Sequence, residues 1–557
     1  MMTKTLDTNA NREGPKFYLD GDLYPFERKH IATLDPLDTS DLPTTDYVLH
    51  LFRIVQFRLS QAYRFFDDDT FVDQVHQFYR RRSQGKPVQS RFWFARFLMV
   101  IALGNAFLSR PRNHKDPPGA KYLARALAAI PCYTSTGKDS LLAIEALALI
   151  GVYLYSIDHR EAAHLHVGHA IRISQMEGMH TQLPEEDLGT ATVAQCQNLW
   201  WSLYTLDRHF SPSLGLPMTT KDSDISTLMN TCPKSTRELT FNLQLKITRM
   251  RSFIIEAIYA TEKTHLGEFL EVTRNVLQTM AKYAEEIQRT IQKCFNGSLD
   301  NVPEEMRHTI LLYHQCVIIS TRPLLLSVLK ERLEKLGREA ENWEKFLALP
   351  KSLISVGIKS AEKVLEILSN ENGLLETFLP FDLELTYESA ILLTMAHTLF
   401  YSSMMRRPFS ESAHSIFDEL ILCGNRIATA RKEELIQIEG LFDELATRIK
   451  REGLRTLTLP DLKTQDMSSI KDSSGGISSS TMASVTGAGD IQSNWSPSQD
   501  APAFSEGLPS SIDATSLADI GVSPEEFLAI VNQIDNPDTS FETLSEGLRW
   551  LDGNIHG

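Results

Sequence analysis

Leu199-Trp200-Trp201-Ser202-Leu203-Tyr204-Thr205-Leu206-Asp207-Arg208-His209-Phe210 is the stretch whose reading decides the fold. Leu199, Leu203, Leu206 and Phe210 recur at i, i+4, i+7 and i+11, the rhythm of one buried helical face. Trp200 stands beside that seam, and both tryptophans read as core anchors. A helix is expected from Ala194 to Phe210. Working outward, Tyr122–Ile130, Ser140–Ser156 and Glu161–Glu177 read as three successive helices, and Phe92–Leu108 as an earlier one that stops at Arg110-Pro111. Lys115 to Gly119 is a loop, because two prolines and a glycine leave no room for helix. Val48, Leu51, Phe52, Val55 and Leu59 mark a first amphipathic helix opening near Thr44–Asp46, and helical patterns recur to about Leu454. Alternating β-branched runs are almost absent, so the fold class is all-α, a multi-helix array.

At 557 residues the chain exceeds what one core usually fills, so two helical layers plus disordered segments are expected. The domain reading is a disordered segment at 1–40, a helical body at 41–455, a Ser/Gly-rich flexible linker at 456–522 and an acidic amphipathic segment at 523–557. Charge follows the same division. The net charge is −15, and residues 466–557 hold 14 acidic and 2 basic side chains, which leaves the remainder nearly neutral. Such a balance argues against a surface that grips phosphate backbones throughout. The apolar run Leu141–Ile157, at the short limit for a bilayer span and broken by Glu145 and Gly151, reads as a buried helix; no membrane partner is expected.

The final segment opens with Ser523-Pro524-Glu525-Glu526: a serine N-cap, proline at the first helical position and Glu526 placed for a capping box. Phe527, Ile530, Val531 and Ile534 then form one apolar stripe, and Phe541 and Leu544 repeat the theme among acidic residues. A helix this short is marginal alone and forms when its stripe finds a groove. The preferred reading is a partner-binding or activation segment facing a coactivator or the transcription machinery. The alternative is a last core helix that folds back on the body.

Motifs for catalysis are missing. Cys132, Cys196, Cys232, Cys294, Cys316 and Cys423 are too dispersed for a compact zinc cluster or a disulfide scaffold. His159, His164, His166 and His169 cluster, but without a carboxylate or cysteine at ligand spacing they read as packing or surface histidines. Thr136 to Ser140 fails as a phosphate loop because Asp139 stands where the magnesium-binding hydroxyl must be. Arg80-Arg81-Arg82 reads as a helix terminus near Tyr79, where cations favour the dipole. No catalytic, metal-binding or DNA-binding residue is assigned, no cofactor is expected, and the chain is not read as an enzyme.

The order of elements across residues 122–225 resembles the middle homology region of the fungal-specific transcription factor family. It runs through Tyr122–Ala126, Leu141–Leu149, His166–His180, Leu199–Arg208, Leu214–Pro217 and Asp222–Ile225. Leu42-Pro43 with Tyr47 and Phe71, and Tyr313-His314-Gln315 with Thr321-Arg322-Pro323, extend the resemblance to roughly 42–450. Gly168, Arg172, Gly178, His180, Trp200, Trp201, Asp207, Arg208, Gly215, Pro217, Arg322 and Pro323 carry it, and all read as fold determinants. Gly178 suits a left-handed C-cap. Gly168, costing about 1 kcal/mol inside a helix, suggests close approach of a second helix. Asp207 and Arg208, adjacent on the helix, are expected to point apart and meet separate partners.

The resemblance implies a nuclear regulator of transcription, with shuttling to the cytoplasm left open, in a family that controls nutrient use and secondary metabolism. It also implies an N-terminal six-cysteine zinc cluster. About 40 residues precede the matching region here and hold no cysteine, so zinc is expected only if an upstream cluster belongs to the natural protein. DNA contact is expected to be indirect or through such a missing domain. The alternatives kept open are a cluster-less modulator or scaffold of a DNA-bound regulator, and a ligand-binding helical protein outside transcription.

Overall fold

The computed structural model describes residues 20–24, 37–88, 90–108, 116–131, 139–227, 229, 235–259, 266–295, 302–334, 348–370, 375–400, 408–451 and 520–534. Among them the regular structure is helical, with no strand. The helices are α1 (Thr45–Leu59), α2 (Asp68–Ser83), α3 (Arg91–Leu108), α4 (Ala120–Ala129), α5 (Ser140–Ser156), α6 (Arg160–Met176) and α7 (Thr190–Ser213). Then follow α8 (Thr236–Ile254), which ends in a π turn at Ile255–Tyr259, α9 (Leu266–Phe295), α10 (Glu304–Glu334), α11 (Ala348–Leu368), α12 (Phe381–Leu399), α13 (Pro408–Leu422), α14 (Arg426–Arg451) and α15 (Pro524–Ile534). Residues 1–459 and 515–557 form one compact unit; the second, 460–514, lies outside the described residues.

Local chemistry explains where the helices begin. The Thr44 hydroxyl accepts the Tyr47 amide and opens α1, whose buried face is Val48, Leu51, Phe52, Val55 and Leu59, the five residues its periodicity selects. α5 is buried almost all round, as its unbroken apolar run requires, and pairs with α3 on one side and α6 on the other. Glu145, the charge inside that run, is 1 % exposed and is held by the Arg96 guanidinium of α3. Two helical stretches, Arg91–Leu108 and Glu304–Leu326, are long and apolar enough to cross a membrane; 78 % and 89 % of those windows are buried within this chain.

Glycines mark the tightest crossings, and here the sequence reading needs correction. A Cβ on Gly168 would meet only the Arg172 Nη1 at 3.1 Å, on its own helix, so no neighbouring helix requires that glycine. The close approach belongs to Gly151 of α5, where a Cβ would stand 2.5 Å from Val167 Cγ2 of α6. Residues 20–24, inside the segment expected to be disordered, pack on the body. Leu23 and Tyr24 are buried, the Gly21 amide donates to Asp158 O, and the Tyr24 hydroxyl accepts the Arg426 amide at 3.1 Å. The arginine triplet at 80–82 occupies the last turn of α2, which runs on to Ser83, four residues past the expected end.

Candidate functional site

Two prolines inside helices reveal how the body is tied together. Pro212 lies in α7 and Pro323 in α10, and each removes the amide that would bond the carbonyl four residues back. Both carbonyls find distant donors. Arg251 Nη1, near the end of α8, donates to Arg208 O at 2.9 Å, and the Tyr259 hydroxyl, at the end of the π turn, donates to Ile319 O at 2.7 Å. A single segment, Arg251–Tyr259, therefore fills both gaps. Arg322 stacks over the Tyr259 ring at 5.3 Å and donates from Nε to its hydroxyl at 3.3 Å. α11 packs close to α10 one residue earlier, where a Cβ on Gly357 would stand 2.3 Å from Thr321 Oγ1.

The signature residues of α7 form a buried polar cluster. Asp207 and Arg208 do not meet separate partners only: Arg208 Nη1 donates to Asp207 Oδ2 at 2.8 Å, each residue being 2 % exposed. The expectation failed because a long arginine can fold back on its neighbour once loop partners fix both ends. Asp207 also accepts the Thr219 amide at 2.9 Å, the Thr219 hydroxyl at 2.6 Å and the Ser211 hydroxyl at 2.9 Å. Arg208 Nη2 donates to Thr220 O at 2.6 Å and to Asp222 Oδ1 at 2.7 Å, while Arg249 reaches Asp222 Oδ2 at 2.7 Å. Gly215, at φ +66°, turns the chain after α7 so that Thr219 and Thr220 come back to it; Pro217 lies exposed on that turn.

The other signature positions also meet neighbours within the body. Gly178, at φ +74°, ends α6, with the Met179 amide donating to Ser174 O at 3.0 Å. Trp200 is 1 % exposed with the His180 ring 5.7 Å away, Trp201 is half-buried, and His180 O accepts the Ser226 and Thr227 amides. Arg172 Nη1 donates to Gly168 O. The clustered histidines take separate partners: His159 meets Tyr24 O, His164 meets Ser211 Oγ and His166 meets Ala162 O. Among the described residues no group of three or more His, Cys, Asp or Glu is arranged to hold a metal.

The C-terminal stripe lies against the body. Ser523 and Glu526 close the expected capping box, the Ser523 amide donating to Glu526 Oε2 at 3.0 Å and the Glu526 amide to Ser523 Oγ at 3.3 Å. Phe527, Ile530, Val531 and Ile534 are buried where α15 packs on α9 and α11, and Phe527 meets the Tyr313 ring of α10 edge-on at 6.3 Å. Docking starts earlier than the expected boundary at Ser523: Ile520 and Val522 are also buried, and Gly521, at φ +83°, crosses the stem of Lys363. Lys359 pairs with Glu526 at the groove's edge. Phe541 and Leu544 lie outside the described residues.

Among the described residues the body is thus helical, with a buried polar brace around Asp207 and Arg208 and a docked C-terminal helix. Residues 53–293, from α1 into α9, match the family described as Fungal specific transcription factor domain. The helices beyond residue 293, including Arg322 and Pro323, lie outside the matched span. An uncharacterized transcriptional regulatory protein of Schizosaccharomyces pombe is 24 % identical over 54 % of this chain and 38 % of its own length. An ABC-transporter-regulating transcription factor of Aspergillus fumigatus is 23 % identical over 50 % of this chain and 32 % of its own. The thiamine repressible genes regulatory protein of Schizosaccharomyces pombe is 20 % identical over 48 % and 35 %. The matches thus span about a third of each of these curated relatives.

Proposed function

We propose that this chain is a nuclear transcriptional regulator whose helical body holds its own partner-binding helix in reserve. The single observation behind this reading is the burial of the Phe527, Ile530, Val531 and Ile534 stripe in the body of a chain whose residues 53–293 match a transcription factor domain. A helix with one apolar face serves a coactivator groove only when that face is free, so docking on α9 and α11 and engagement of a coactivator are mutually exclusive. The regulated genes, under this reading, form a metabolic or secondary-metabolite set, and DNA is reached through a DNA-bound regulator or a separate zinc-cluster domain.

The test uses the full chain tethered to a heterologous DNA-binding module before a reporter gene. Replacing Phe527, Ile530 and Ile534 together with Ala abolishes activation, because the stripe itself is the activating surface. Lys359→Glu acts on the groove alone, sets two carboxylates face to face and raises activation; Glu526→Gln added to it removes that repulsion, keeps the capping-box acceptor and brings activation back towards wild type. If the triple variant activates as wild type does and Lys359→Glu changes nothing, the reading is rejected.

A further inference from the structure

A partly open cavity of about 70 Å³ lies in the helical body, among α1, α5, α7, α8, α10 and the segment entering α12. Val152, Phe210, Leu312 and Leu379 give it apolar walls, and Arg58, Gln61, Arg251 and Glu376 bring polar groups to it. Most charges around it are already matched. Arg58 faces Glu376 at 3.2 Å, and nearby His209 pairs with Glu384 at 3.1 Å. Burial pushes the Glu376 and Asp382 carboxyls up; it takes His308 down to about 3, so that imidazole is neutral near pH 7.

Two groups are unmatched, and both are donors. Arg251 spends Nη1 on the carbonyl that Pro212 leaves open, but its buried Nε has no hydrogen-bond partner and no ion pair is formed among the described residues. Gln61 Nε2 is likewise buried without a partner. One buried guanidinium N–H and one buried amide donor, each without a partner, are complemented by an anion that accepts two hydrogen bonds. Size and wall chemistry narrow the choice. With roughly 10–15 Å³ as the least space that admits one water, the cavity takes only a molecule of a few heavy atoms, and its other walls require a hydrocarbon end.

We propose that this cavity binds a short-chain organic carboxylate of about three to five carbons, its oxygens held by Arg251 Nε and Gln61 Nε2 and its alkyl end against Val152, Phe210 and Leu312. Through Arg251 the ligand bears directly on the Arg208 carbonyl, and so on the polar brace of α7.

The experiment takes the purified full chain and titrates acetate, propionate, butyrate, valerate, hexanoate and octanoate, with the matching primary amides as uncharged controls. Calorimetry and the unfolding midpoint are read together. The expected result is saturable binding that peaks at three to five carbons and is lost with the amides. Gln61→Leu weakens it about tenfold to a hundredfold, the cost of one hydrogen bond to a charged group. The same variant does not lower the unfolding midpoint of the free protein, because its amide nitrogen gives up no partner. A wild-type chain that no carboxylate stabilises, its cavity filled by water alone, overturns the proposal. So does equal binding of acids and amides, or undiminished binding by Gln61→Leu. Because the readout is binding by the isolated protein, failure here leaves the reading of α15 standing.

Discussion

Tyr259→Phe removes one hydroxyl and tests the claim that a side chain completes a proline-broken helix. Ile319 O lies one turn before Pro323 on the buried face of α10, and the Tyr259 hydroxyl at 2.7 Å supplies the bond that Pro323 cannot make. Leaving a buried carbonyl without its donor costs about 1–3 kcal/mol. The Arg322 bond to the same hydroxyl is lost too, but its stacking on the ring survives in phenylalanine. The decisive comparison is the same change in a Pro323→Ala background. An alanine in place of Pro323 restores the ordinary helical amide, so Ile319 O no longer depends on Tyr259, and only the Arg322 contact is forfeited. The coupling between the two changes is then about 1–2 kcal/mol. Urea unfolding followed by helical circular dichroism measures it, with hydrogen exchange of the α10 amides as a local check, since a body this large need not unfold in one step. Equal costs of Tyr259→Phe in both backgrounds would refute the reasoning.

Gly151→Ala drives a methyl into Val167 and lowers stability by about 1–3 kcal/mol, whereas Gly168→Ala meets only the movable tip of Arg172 and raises it by up to about 1 kcal/mol; thermal unfolding of the two variants separates them. His314 is fully buried, and burial takes its imidazole down to about 3, so its contribution is complete above the unfolded value of about 6.5 and declines as pH falls from there towards 3. At pH 5 the loss from this residue is about 2 kcal/mol, and unfolding midpoints of His314→Leu across pH 7 to 5 should show a flatter slope than wild type. Burial tends to raise the Glu384 carboxyl, yet His209, Arg160 and Tyr155 outweigh it and hold it at about 2, so its share is lost only as pH drops below about 4.5.

What could be read from the chain beforehand was whatever is local or periodic. The five buried residues of α1, the span of α5 and the capping box of α15 all follow from spacing and from which side chains satisfy free amides. What could not be read depends on partners far away in sequence. Pro212 and Pro323 look like helix breakers until Arg251 and Tyr259, 43 and 60 residues from the carbonyls they fill, are seen in place. Asp207 and Arg208 were expected to diverge because helix geometry separates neighbours, and the returning Thr219-Thr220 loop brings them together. Gly168 and Gly151 differ in a way no periodicity records, since both sit inside helices and only one faces a crossing. A signal in the sequence for the first case did exist: Pro323 within a long helical pattern and Pro212 just beyond the Leu199–Phe210 seam, whose freed carbonyls demanded an answer.

The C-terminal stripe illustrates a deeper limit. Spacing specifies an apolar helical face and is silent on whose groove accepts it, because a face that suits a coactivator suits an internal groove equally well. Being on the same chain favours the internal groove, which meets the helix without loss of free translation. The polar contact at its edge is a poor lock: a half-buried pair at a solvent-facing edge, such as Lys359–Glu526, contributes about 1 kcal/mol or less. Reversing Lys359 removes that and adds a repulsion of similar size, together about 1–2 kcal/mol, which shifts the docked-to-free ratio by roughly five- to thirtyfold. Activation in the tethered reporter should therefore rise by a factor in that range as long as the docked state predominates. A larger rise would mean that Lys359 steadies the groove itself and not only the helix in it, and Glu526→Gln would then fail to bring the activation back down.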